Sequence, residues 1–313
     1  MSAVRIGTCS FADEALTKVF YPPGLRTGPE RLAHYATVFD TVEVDSTFYR
    51  LQPPETVAKW ADAVPEGFVF HVKAFAPMTR HGVKHEALPE PLRSLLQPDD
   101  RGRVERMPRD VRAEAFRLFR EMLAPLREAG KLGAVLLQLA PYVVVKPRSL
   151  EYLEWAHAQL DGYDVVVEFR HRSWFEDEQR AETLSFLEAN RFGNVVVDAP
   201  RSRAKNLIPT VIAVTSPTAY VRFHGRNAAT WNVRGGSAAE RFDYLYPVEE
   251  LQEWVEPMRR LAGEAEQAFA LMNTNAYGPS PHDPGRLVAQ GPENGLALAR
   301  VLRGAGVPAT PAP

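Results

Sequence analysis

Five segments of the chain carry two polar or charged residues spaced two apart among short apolar residues. They are Val42-Glu43-Val44-Asp45, Phe70-His71-Val72-Lys73, Val167-Glu168-Phe169-Arg170, Val221-Arg222-Phe223-His224 and Leu271-Met272-Asn273-Thr274-Asn275. Two more carry a single polar residue in the same setting, Leu136-Leu137-Gln138-Leu139 and Val196-Val197-Asp198. On a strand, residues two apart point to one face. Each pair therefore shares a face, and the repetition along the chain predicts a common polar cavity at one end of a sheet.

The cavity would mix acids (Glu43, Asp45, Glu168, Asp198) with bases and cations (His71, Lys73, Arg170, Arg222, His224). Glu43 and Glu168 are candidates for general acid and base, because a carboxyl in a low-dielectric barrel mouth can have a raised pKa. His224 is the alternative proton carrier. Lys73 could clamp an anion or, if desolvated, act as a Schiff-base nucleophile; nearby acids favour the clamp. Arg170, Arg222 and Arg226 point to an anionic substrate, since guanidinium forks match carboxylate and phosphate. Asp45, His71, Gln138, Asp198, Asn227, Trp231 and Asn273 complete the expected substrate-binding set. The structural alternative is a satisfied polar plug, with Glu168 paired to Arg170 or Lys73, because buried charges are costly unless paired. Cys9 could be a nucleophile, but a small buried cysteine is the commoner case.

Glu43, Asp45, Glu168, Asp198 and His224 are also ligand types used for Mg, Mn or Zn, so a divalent metal could be held there. Against it stand the lack of an HExxH motif or a cysteine cluster and the repulsion from Lys73, Arg170 and Arg222. No cofactor and no metal site is assigned.

The elements that must position these residues alternate. Expected strands cover Ile6–Cys9, Thr41–Tyr49, Phe68–Phe75, Ala134–Ala140, Val165–Arg170, Asn194–Ala199, Ala219–Gly225 and Ala268–Thr274. Helical patterns cover Pro29–Val38, Pro54–Val64, Val111–Ala129, Ser149–Leu160, Asp177–Asn190, Val248–Ala262 and part of Pro284–Leu302. Asp177 is the expected cap of the fifth helix. A helix thus follows every strand but the sixth. Eight βα units predict an α/β fold, a single (β/α)8 TIM-like barrel, with a doubly wound open sheet as the alternative. No GxGxxG follows the first strand, which weakens a dinucleotide-binding reading. Residues 1–303 form the expected barrel and 304–313 a flexible C-terminal tail. Three long stretches, Ala76–Asp110, Pro200–Thr218 and Arg226–Pro247, follow strands and would lie on the C-terminal face, where active sites of this fold sit.

Bulk composition sets few limits. The chain has 313 residues, a formal charge of −2 and 45% hydrophobic residues. This near-neutral balance gives no global pull towards nucleic acid or anionic membrane. One cysteine excludes an internal disulfide and suits a reducing compartment. Met1–Ser10 lacks a long apolar stretch, and Gly133–Val145 is broken by Gln138 and Pro141 and too short for a bilayer. A cytoplasmic protein without a membrane partner is expected. The sequence does not fix an oligomeric state.

Phe20-Tyr21-Pro22, the run Thr41–Arg50, Gly67-Phe68-Val69-Phe70 leading to Lys73, and Leu136-Leu137-Gln138-Leu139 carry a resemblance. So do Glu168-Phe169-Arg170-His171 with Ser173-Trp174-Phe175, Arg222-Phe223-His224-Gly225-Arg226-Asn227, Trp231 and the aromatic cluster Phe242–Tyr246. On these blocks, which run through nearly the whole chain, the protein resembles the DUF72 (YecE-like) family. The resemblance implies a TIM barrel with its site at these strand ends, and it supplies no reaction. Asp45 is a departure, since the family usually has Asn there.

Three functional readings follow. The first is an enzyme using acid/base chemistry on a small phosphate- or carboxylate-bearing substrate. The second is a metal-dependent phosphoesterase or nuclease, with Arg201, Arg203, Lys205, Arg226 and Arg234 beside Trp231 and Tyr244 as a rim for nucleic acid; this one is not favoured. The third is a non-catalytic anion-binding protein.

Overall fold

A computed structural model of the chain describes residues 1–176, 178–201, 204–231, 238–280 and 282–311. Asp177, Arg203 and Arg234, named above, lie outside the described residues.

Eight parallel strands build the barrel: β1 Val4–Thr8, β2 Thr41–Val44, β3 Val69–Lys73, β4 Leu132–Gln138, β5 Val165–Glu168, β6 Gly193–Asp198, β7 Thr218–Phe223 and β8 Gln267–Met272. Each of β2 to β7 pairs with the next strand, and β8 pairs back to β1, with Val4 beside Ala268. The main helices are α1 Gly28–Tyr35, α2 Pro54–Asp62, α3 Arg109–Glu128, α4 Pro147–Gln159, α5 Gln179–Ala189, α6 Val255–Glu264 and α7 Gln290–Gly304. Among the described residues no helix lies between β6 and β7, as the hydrophobic pattern implies. No described helix is long and apolar enough to cross a membrane.

Local chemistry explains the boundaries. Thr27 caps α1 in a reciprocal box: Glu30 N–H donates to Thr27 Oγ1, and Thr27 N–H donates to a Glu30 carboxylate oxygen at 2.8 Å. Along α3, residues Val111, Ala115, Phe116, Phe119, Met122, Leu123 and Leu126 are buried, which is the 3–4 spacing of one apolar face. β2 ends at Val44, earlier than expected, because the chain turns through Ser46–Phe48. Thr47 Oγ1 fixes that turn by donating to the carbonyls of Val44 and Lys73. The last helix starts at Gln290, within the expected stretch, because Tyr277–Pro279 and Leu287–Ala289 pair as a short antiparallel ribbon ahead of it.

Of the stretch 304–313 expected as a flexible tail, the described residues pack against the barrel. Val307 is fully buried, and Ala309–Thr310 pairs in parallel with β1. Thr310 Oγ1 also bonds Asp40 at 3.1 Å.

The barrel has one unpaired seam, between β1 and β2. A Cβ on Gly7 would stand 2.2 Å from the carbonyl oxygen of Thr41, so only glycine lets the two backbones come this close. Tyr35, at the end of α1, closes the seam. Its buried hydroxyl accepts from Thr8 N–H at 3.0 Å and donates to Thr41 O at 3.1 Å. Tyr35→Phe leaves both groups buried without that partner. The expected cost is about 1–3 kcal/mol in urea unfolding at neutral pH. A change below a few tenths would mean the seam does not need the bridge.

Candidate active site at the barrel mouth

Period-2 alternation sends Glu43, Gln138, Glu168, Arg222 and His224 to the barrel axis, where each is at most 7% exposed. Arg222 lies between two carboxylates. Its Nη2 donates to Glu43 Oε1 at 2.7 Å, and its Nη1 donates to Glu168 Oε2. Tyr220 O–H donates to the second oxygen of Glu43 at 2.9 Å. Gln138 Nε2 donates to Glu168 Oε1 at 2.9 Å, and His224 Nε2 approaches the same oxygen at 3.2 Å. Asn273 Nδ2 reaches His224 Nδ1 at 2.8 Å. The amide can only donate there, so the network assigns the His224 proton to Nε2, facing Glu168.

The electrostatics follow from this packing. Burial opposes the charge on Glu168, but Arg222, His224 and Arg170 outweigh it and hold the carboxyl well below its usual range. Burial likewise opposes Arg222, and Glu43 and Glu168 reverse that, raising it well above the ordinary guanidinium value. Burial keeps His224 neutral, pushed down to about 4 despite Glu168. Cys9, at the end of β1, is pushed well up by burial and then by Glu43, so its thiol stays protonated. The expected pairing of Glu168 with Arg170 exists only as a 3.8 Å contact; Arg222 is the main partner.

A second group lies further out. Lys73 keeps part of its surface open, and its Nζ sits 4.4 Å from the centre of the Phe48 ring. Among the described residues its ammonium group has no hydrogen bond or ion pair. Burial and Arg222 lower its pKa, while Asp45, Glu43 and Glu168 act the other way. Asp45 is pushed up to about 7 by burial, with Lys73 opposing and Glu43 and Asp13 adding to the rise. Asp45 lines a hollow of about 210 Å³ with Ser10, Phe11, Asp13 and Tyr49. Asp13 is itself pushed up to about 6, mainly by burial. Arg170 stands over Trp231 at 5.8 Å, and His224 stacks on Phe242, so aromatic rings roof the axis.

Four expected site residues, His71, Asp198, Arg226 and Asn227, lie elsewhere. His71 shares the inward face of β3 but is one layer deeper, wedged between Tyr220 and Phe269. Its Nδ1 accepts from Ala134 N–H at 3.0 Å, and burial pushes it down to about 3. Asp198 points out of the barrel, because Val195 and Val197 occupy the inward positions of β6. It binds Arg226 Nε at 3.0 Å and accepts from Tyr246 O–H at 2.5 Å. This pair lines a separate cavity of about 620 Å³, with Pro200, Ile208, Ile212 and Trp254, where the helix after β6 is absent. Asn227 braces its own loop, donating to Asp243 O and accepting from Ala229 N–H.

Three contributors escaped the sequence reading. Tyr220 lies two before Arg222, so the same alternation could have found it. His81 sits on a loop and Arg241 ends the short helix Ala238–Arg241 in the connection after β7, and neither segment carries a periodic signal. Lys73 and Arg170 help to lower the pKa of His81, and Arg241 helps to lower that of Arg170, so these charged groups lie within electrostatic reach of one another. Among the described residues, no group of three His, Cys, Asp or Glu side chains could hold a metal ion.

With a parallel barrel and a polar cluster at its strand ends in place, comparison with known proteins is specific. The family model described as a protein of unknown function, DUF72, matches residues 5–301. The chain belongs to this family. It is 32% identical to the UPF0759 protein YunF of Bacillus subtilis over 262 residues, covering 82% of this chain and 85% of YunF. It is 27% identical to the UPF0759 protein YecE of Escherichia coli over 230 residues, 68% of this chain and 73% of YecE. A DUF72 family protein of Enterococcus faecalis superposes with a TM-score of 0.74 at 26% identity, covering 96% of this chain and 95% of that one. One from Thermotoga maritima gives 0.72 at 27% identity, with 96% and 99% covered.

Removing charge from the axis should be costly. Glu168→Gln leaves Arg222 with one carboxylate in a buried site, and a loss of about 3–5 kcal/mol is expected at pH 7. Because the folded pKa of Glu168 lies below its ordinary 4.5, its contribution is fully present above that value and is lost as pH falls through the lower folded value. The deficit of the variant should therefore shrink in acid. Denaturation curves at pH 7 and pH 3 with equal deficits would contradict the ionised pairing.

Proposed function

We propose that the barrel mouth binds a small phosphate- or carboxylate-bearing substrate and acts on it by acid/base chemistry. The observation that carries this reading is the lack of committed partners for the outer cations. Glu43 and Glu168 are engaged by Arg222. Lys73 and Arg241 have no ion pair among the described residues, and Arg170 has only the 3.8 Å contact to a carboxylate already in use. Cations held near one another at a partly closed opening repel, and an anion between them relieves that repulsion.

The roles divide by depth. Lys73, Arg170 and Arg241 hold the anionic group. Asp45 carries the proton, since a carboxyl near 7 can exchange one at neutral pH. Glu168, held ionised, has no proton to give and is a weak base, and with Glu43 and Arg222 it positions the groups above it. His224, also expected to be catalytic, is neutral and held between Asn273 and Glu168. The nucleic-acid reading gains less support. Arg201 pairs with Glu253, and Arg226 with Asp198 and Glu253, so these rim cations are already engaged.

Calorimetric titration with inorganic phosphate and with acetate tests the binding. Lys73→Met should weaken the preferred anion by roughly 10–100-fold, the loss of a charged hydrogen-bond partner. Binding unchanged by this substitution would remove the main support.

Asp45→Asn tests the proton carrier. A folded pKa above the unfolded 3.8 means that ionising Asp45 costs stability, and the cost grows as pH rises from about 4 to 7. The variant should be more stable than the parent at pH 7, by about 1–2 kcal/mol once partial exposure is discounted, and equal to it below pH 4. Its turnover should fall at least about 100-fold on any substrate found by screening phosphorylated and carboxylated metabolites. Full turnover in the variant would exclude Asp45, and no turnover by the parent across such a screen would favour a binding protein.

A further inference from the structure

Large exposed aromatic side chains are few, and two of them, Tyr49 and Tyr142, line the same cleft, at 62% and 63% exposure. The cleft holds about 650 Å³ and is bounded by the loops after β2, β3 and β4, with Phe48, His81 and Val83 between the tyrosines. A single exposed tyrosine calls for no explanation; two on the walls of one hollow beside a site do. Tyr142 is held in place, since its hydroxyl donates to the carbonyl of Arg80. Tyr49 meets Phe48 edge to face at 5.2 Å.

The cleft connects with the mouth. Phe48 is the ring beneath Lys73 Nζ. Tyr49 also lines the hollow that holds Asp45, so it is the ridge between hollow and cleft. A molecule anchored at Lys73 and reaching outwards therefore crosses Tyr49. The charges of the cleft are matched locally: Arg103 pairs with Glu105 at 2.7 Å and Lys84 with Glu86 at 3.5 Å. The part of the ligand lying there is uncharged, and its anionic end stays at the mouth.

We infer that the substrate is an anion carrying a flat, uncharged aromatic ring, with the ring seated against Tyr49 and Tyr142. This rests on the anion reading above and adds the ring to it. Aromatic faces and edges attract each other beyond the area they bury, so a flat ring gains more here than a saturated ring of similar size.

Calorimetry with matched probes separates the two claims. Phenyl phosphate should bind about tenfold more tightly than inorganic phosphate, and benzoate similarly against acetate. Cyclohexyl phosphate should gain clearly less than phenyl phosphate. Tyr142→Ala should cancel most of the ring-dependent gain and leave inorganic phosphate binding unchanged, whereas Lys73→Met should weaken both phosphates. Tyr49→Phe should keep the gain and Tyr49→Ala lose it. Equal affinities for phenyl and inorganic phosphate, both lost in Lys73→Met, would overturn the ring and leave the anion site standing. A cyclohexyl gain equal to the phenyl gain would overturn the aromatic assignment. Failure of every probe to bind would overturn the anion reading and the ring with it.

Discussion

The side chain of Arg222 is a guanidinium with almost no exposure, set between two carboxylates with none. Three ions in the axis of a barrel would be severely destabilising if any were left alone. The surrounding contacts are those needed to prevent this. Tyr220 takes the second oxygen of Glu43, while Gln138 and His224 take the free oxygen of Glu168. Asn273 then fixes the imidazole. These residues come from β2, β4, β5 and β7 and from the chain just beyond β7 and β8. One ionic cluster thereby ties most of the barrel together at its C-terminal end, and the strand register must place all of them at one height.

The same contact sorts the remaining charges. Glu43 and Glu168 face Arg222 and are used up by it. Lys73 and Arg170 lie above, where Arg222 repels them and helps to lower the pKa of each. The mouth is thus a layer of cations without committed carboxylates over a layer of matched ions. That layering supports the proposed anion site more directly than the number of arginines in the chain does.

How far the sequence reached is instructive residue by residue. Alternation placed Glu43, Gln138, Glu168, Arg222 and His224 on one inward face, because the rule needs only strand geometry. It failed at Asp198, where a lone polar residue in the run Val195–Asp198 gave nothing to set the parity, and the valines proved to be the inward side chains. It also could not give depth: His71 has the right face and the wrong layer, enclosed by aromatic rings. His81 comes from a loop and Arg241 from a one-turn helix inside a long connection, and the path of both is set by tertiary packing. The strand at Ala309–Thr310 was hidden in a small, Pro-rich stretch, because its partner β1 lies at the other end of the chain.

Depth also explains why three carboxyls of one barrel behave differently. Glu168, deepest in the ionic cluster, is stabilised as an anion by direct contacts that exceed its desolvation. Asp198 is outside the barrel, where Tyr246 and Arg226 offset much of the burial that raises it. Asp45 feels burial and the repulsion of Glu43, yet it has no direct cation contact, and Lys73 opposes the rise only from a distance. Burial therefore leaves its pKa near 7, beside the hollow it lines with Asp13 and Tyr49. A group in that condition lowers the stability of the fold when it ionises, unlike the locked carboxylate below it. That contrast favours the rim of the barrel, rather than its ionic axis, for the proposed proton transfer.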